Sequence, residues 1–79
     1  MKRSDISTLT VLMGCKAAHT TYECMSYEAI NNICPAADKV IYAAMGREVD
    51  KGLIDYGVSL RTAFLTADGE TMLNKLLSK

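Results

Sequence analysis

Gly52 restricts the fold of this chain more than any other residue, because the hydrophobic period changes there. Before it, Ile41, Ala44, Met45 and Val49 recur at helical spacing. After it, Leu53 to Tyr56 and Leu60 to Leu65 take on strand character around a Gly57-Val58-Ser59 tip. Leu65-Thr66 then leads into Ala67-Asp68-Gly69, which reads as a helix start. A glycine at the first junction accepts the left-handed backbone that closes a helix, and Lys51 beside it meets the negative end of the helix dipole. Gly57 supplies the permissive backbone of a tight hairpin tip. The back half is therefore expected to run helix, hairpin, helix.

The front half is read in the same way. From Ser4 to Ala17, apolar residues at Ile6, Leu9, Leu12, Met13 and Cys15 approximate one helix face, with Ser4 as N-cap and Asp5 at the positive end of the dipole. Gly14 weakens that helix by about 1 kcal/mol relative to Ala. A small residue there also permits another helix to approach closely. His19 to Met25 mixes β-branched and aromatic residues without helical spacing, so part of it is expected to form a short strand on the later hairpin. Ser26 caps a second helix, Tyr27 to Ile33, with Ile30 and Ile33 three apart and Asn31-Asn32 ending it.

Cys34-Pro35 opens the third helix, since proline is favoured at the first helical position. That helix is expected over about 35–50, seated on Ile41, Met45 and Val49. Its opposite face carries Lys39, Tyr42, Ala43, Gly46, Arg47 and Asp50. A short helix, a brief turn and a longer helix make a helix-turn-helix signature. Thr66 is the expected N-cap of the last helix, with Asp68 and Glu70 in its first turn. Met72, Leu73, Leu76 and Leu77 form its buried stripe.

A chain of 79 residues holds one domain, 1–79, and one core. Nine Lys plus Arg balance nine Asp plus Glu, so the net charge is zero. That counts against strong non-specific binding to nucleic acid, whose affinity comes largely from phosphate contacts. It leaves room for a dimer that presents a local basic strip. No apolar run approaches the roughly 20 residues that cross a bilayer, and the Met1-Lys2-Arg3 start lacks the apolar core of a secretory signal. Cys15, Cys24 and Cys34 show no paired spacing, which points to reduced thiols in the cytoplasm.

Three motifs carry a family resemblance: Val49-Asp50-Lys51-Gly52-Leu53-Ile54, then Arg61, then Leu65-Thr66-Ala67-Asp68-Gly69-Glu70 with Leu73. In order and spacing, residues 25–77 resemble winged helix-turn-helix transcriptional regulators of the broad MarR/PadR type. The resemblance implies an α+β, mostly α, fold in the order helix, strand, helix, helix, two strands, helix. It also implies that the third helix enters the major groove of double-stranded DNA while the wing, 53–65, reaches the adjacent backbone or minor groove. Carried over residue by residue, Ala36, Ala37, Lys39, Tyr42 and Ala43 face bases or phosphates, and Ser59 and Arg61 are the wing contacts.

The residues themselves admit more than one role. Lys39 and Arg47 can neutralise phosphates, or Asp38, Glu48 and Asp50 can cancel them. Arg61 can protrude from the hairpin or pair with Asp55. Tyr42 can meet a phosphate or cover the edge of the core. Lys2 and Arg3 form a small basic arm or a plain terminus. Few Arg, Asn or Gln side chains are available on the third helix to read base edges. The neutral, Ala-bearing face instead suits docking on another protein, which stands as the alternative function.

Cys15, His19, Cys24 and Cys34 offer four metal-ligand types, but structural zinc sites use closely spaced pairs that are missing here. Buried small hydrophobes is the default for the cysteines, so no metal and no cofactor is expected. One His, no Gly-rich phosphate loop and no paired carboxylates argue against an enzyme. A homodimer through the first and last helices completes the expectation.

Overall fold

The computed structural model describes residues 2–20, 25–56 and 63–78. A 3-10 turn, Arg3–Asp5, precedes α1 (Thr8–Thr20), α2 (Ser26–Ile33) and α3 (Asp38–Asp50). Strands β1 (Ile54–Asp55) and β2 (Phe64–Leu65) follow, and α4 (Ala67–Leu77) ends the chain. The strands pair antiparallel, with Ile54 opposite Leu65 and Asp55 opposite Phe64. The fold is therefore mostly helical with a small two-stranded sheet.

Local hydrogen bonds move several helix starts from where spacing put them. Asp5 is used up in the 3-10 turn, where its Oδ2 accepts the Lys2 N–H at 2.8 Å. Ile6 then drops fully into the core, and Ser7 rather than Ser4 caps α1 by accepting the Thr10 N–H at 3.1 Å. His19 and Thr20, the start of the stretch expected to hold a short strand, continue α1 instead. Thr21–Cys24, the rest of that expected strand, lie outside the described residues, and only two strands are found among those described. The cap of α2 is Met25, because Ser26 is buried and donates its hydroxyl to the Ala63 carbonyl. Proline does not open α3. The Ala36 N–H is taken by Asn31 Oδ1 at 3.2 Å, Ala37 stays extended, and the helix begins three residues after Pro35.

One apolar cluster joins both ends of the chain: Ile6, Val11, Leu12, Cys15, Ile30, Ile41, Ala44, Met45, Leu53, Ile54, Ala63 and Leu73. Gly14 sits where α1 crosses α2, and a Cβ there would stand 2.4 Å from Ile30 Cγ1 and 3.0 Å from its Cα. The glycine therefore permits the close helix approach expected of it. Leu77, expected in the buried stripe of the last helix, is 58% exposed, and Ile33 and Met13 are 45% and 39% exposed.

Gly52 ends α3 in the left-handed conformation, φ +76°. Its N–H donates to the Val49 carbonyl at 2.9 Å, and the Leu53 N–H donates to that of Glu48 at 3.0 Å. That pair of bonds is a Schellman closure, and it turns the chain into β1. Thr66 then ties the far end of the sheet to the same spot. Its hydroxyl donates to the Gly52 carbonyl at 2.7 Å and accepts the Gly69 N–H at 3.0 Å. Its own N–H donates to the Leu53 carbonyl at 3.1 Å. The end of α3 and the start of α4 are thereby fastened across the base of the sheet.

Candidate nucleic-acid interface

The turn between α2 and α3 is braced by side chains from both helices. Tyr27 donates its hydroxyl to Asp38 Oδ1 at the start of α3. Its ring stacks on that of Tyr42, with centroids 5.1 Å apart and planes inclined by 23°. With the Asn31–Ala36 bond, this fixes how α3 projects from α2.

Beyond that brace, Lys39 and Ala43 on α3 and Ala37 at its N-cap are exposed, while Ala36 and Tyr42 are half-buried. Tyr42 packs against the core cluster as well as on Tyr27. Asp38 at the first turn and Asp50 at the last are also exposed. The outer face of α3 therefore offers one lysine, two alanines and a carboxylate at either end. Ser59 and Arg61, the expected wing contacts, lie outside the described residues.

Arg47 is drawn to a different place. Its Nε donates to Glu48 Oε2 at 2.6 Å, and its Nη2 donates to the Ile6 carbonyl at 2.6 Å. Glu48 is fully buried and also accepts the Thr8 hydroxyl at 3.0 Å. Its second oxygen, Oε1, lacks a hydrogen bond of good geometry among the described residues and faces Lys51 Nζ at an ion-pair separation of 3.4 Å. Lys51 in turn donates to Thr8 Oγ1 at 3.2 Å. Arg47 is thus engaged by an internal carboxylate rather than displayed beside Lys39, while Lys51 meets the same carboxylate from the solvent side. Glu48 was among the carboxylates expected to be able to cancel Arg47, and the two do pair; its burial was not expected, yet its position carries a signal. It stands four residues after Ala44 and three after Met45, on the core stripe, with a cation on either side.

A concave feature lies between α1, β2 and α4. Cys15, Lys16, His19, Phe64, Leu65 and Glu70 line a cleft of about 140 Å³, well below the roughly 300–1,000 Å³ of ordinary ligand pockets. Lys16 and Glu70 pair across it at 3.0 Å. His19 Nε2 donates to the Ala63 carbonyl at 3.0 Å, the same oxygen that accepts from Ser26. Burial pushes the Cys15 thiol up to about 11, with the Ser26 hydrogen bond opposing that rise. The thiol is therefore protonated at neutral pH and is a poor nucleophile. Among the described residues no group of three His, Cys, Asp or Glu side chains is placed to hold a metal ion. No helix among them is long and apolar enough to cross a membrane.

Comparison with known proteins finds no matching family model, no matching curated protein and no matching solved structure.

Proposed function

We propose that this chain is a winged helix-turn-helix regulator that binds double-stranded DNA as a homodimer. The observation that carries the reading is the Gly52–Thr66 junction. There an antiparallel pair springs directly from the end of the second helix of a braced helix-turn-helix and returns into α4. In this reading α3 lies in the major groove. Ala37 and Ala43 allow close approach, Lys39 meets a phosphate, and Ala36 and Tyr42 border the contact. Ser59 and Arg61, outside the described residues, are the contacts proposed for the wing, 53–65. The dimer uses α1 and α4, whose Met13 and Leu77 are exposed. One neutral copy would hold DNA weakly, so two copies are needed to sum their phosphate contacts.

The test is duplex binding in low salt by the native chain and by Lys39→Glu and Arg61→Glu. Both variants are expected to weaken binding to every duplex and to flatten its salt dependence by about one ion each. Affinity unchanged by both substitutions would sink the reading.

A second reading is favoured by the Arg47–Glu48–Lys51 cluster, which leaves the face of α3 close to neutral. Such a face suits a protein partner better than phosphates. A defined complex that survives nuclease treatment and high salt, and that Ala43→Arg disrupts, would favour docking over DNA.

A further inference from the structure

Glu48 has no part in the proposed interface, yet it is a charged side chain without solvent exposure. A buried carboxylate persists where its charge and lone pairs are met. Arg47 supplies the closest partner, at 2.6 Å, and is anchored again by its 2.6 Å bond to the Ile6 carbonyl. Arg47 stands one helical turn beyond Ala43 and two beyond Lys39. Its backbone therefore continues the outer stripe of α3, while its guanidinium is turned toward the segment before α1.

Resting on the DNA reading and deepening it, we propose that Glu48 is an internal counter-charge that withholds Arg47 from the outer face of α3. Lys39 is then the phosphate contact of that helix. A phosphate that recruited Arg47 would leave the Glu48 carboxylate in the core short of its nearest partner, and that cost holds the guanidinium in place. Lys51, at 3.4 Å and with its side chain 49% exposed, is shared between Glu48 and solvent. Glu48 thus acts as a positioning residue: it sets how many cations the helix displays.

The experiment measures salt-dependent binding to a labelled DNA duplex and elution from immobilised heparin, a polyanion that makes no demand on the DNA reading. Each variant is checked for a native circular dichroism spectrum. Arg47→Gln is expected to keep the native salt slope on DNA, whereas Lys39→Gln lowers it by about one. Glu48→Gln is expected to raise the slope by about one and to elute from heparin later than Glu28→Gln. Glu28→Gln raises the net charge equally by removing an exposed carboxylate of α2. Adding Arg47→Gln to Glu48→Gln should cancel the gain.

A folded Glu48→Gln chain that merely matches Glu28→Gln overturns the proposal. So does an Arg47→Gln chain whose slope or heparin elution falls as far as that of Lys39→Gln. Where Glu48→Gln does not fold, this last comparison carries the test alone. Should no variant bind the duplex, the DNA reading falls, and the heparin series still decides the role of Glu48.

Discussion

A Cβ added to Gly69 would stand 1.9 Å from the carbonyl oxygen of Leu53. The first turn of α4 is therefore pressed against the backbone at the base of the sheet, and backbone cannot swing aside as a side chain can.

Gly69→Ala should accordingly lower stability by about 1–3 kcal/mol, the usual range for overpacking, although alanine is the better helix former. Gly46→Ala should do the opposite. It lies within α3 with nothing within 4 Å of an added Cβ, so a gain of up to about 1 kcal/mol is expected. Urea unfolding of the two variants against the native chain checks both signs.

Thr66 ties Gly52, Leu53 and Gly69 together, and its hydroxyl caps the N-terminus of α4. Thr66→Val should cost about 1–2 kcal/mol, and Thr66→Ser should recover most of it. A valine variant as stable as the serine variant would show that the hydroxyl bonds contribute nothing.

Two ion pairs should differ sharply in worth. Lys16 and Glu70 pair with their side chains 43% and 47% exposed, so Lys16→Met should change stability by less than about 1 kcal/mol. Glu48 is fully buried, and Glu48→Ala removes the carboxylate that accepts from both Arg47 and Thr8. A loss of about 3–5 kcal/mol is expected there. Equal losses from thermal or urea unfolding would refute the contrast.

The Cys15 thiol titrates near 9.0 when unperturbed and near 11 in the fold. Between those values the unfolded chain has released its proton and the folded chain has kept it. The contribution is complete below pH 9 and declines as pH rises toward 11, by about 1.4 kcal/mol per pH unit. Unfolding at about pH 8 and about pH 10.5 should show this loss, and Cys15→Ala should show less pH dependence than the native chain.

Much of the back half was legible because its signals are local. Gly52 closes α3 at positive φ, as its place between two periods required, and Thr66 caps α4. The Leu65-Thr66-Ala67-Asp68-Gly69 motif has a physical cause visible only in three dimensions: the threonine must cap the helix, and position 69 must clear the Leu53 carbonyl. The front half was harder, because long-range partners decide it. Ser26 reads as a cap but serves Ala63, 37 residues away. Asn31 reads as a helix breaker but holds the Ala36 N–H. For the site, Lys39 and Ala43 lie exposed where periodicity put them, whereas the choice between Arg47's two roles was not legible, because Ile6 and Thr8 could not be seen beside Arg47 and Glu48.

The stacked Tyr27–Tyr42 pair gives the molecule a built-in optical gauge. The chain contains no tryptophan and four tyrosines, so two of its main near-ultraviolet chromophores sit face to face between α2 and α3. Anything that settles beside Tyr42, or parts α2 from α3, must alter the coupling between those rings. Near-ultraviolet dichroism of the unlabelled protein therefore reports on that surface without a dye or an inserted probe.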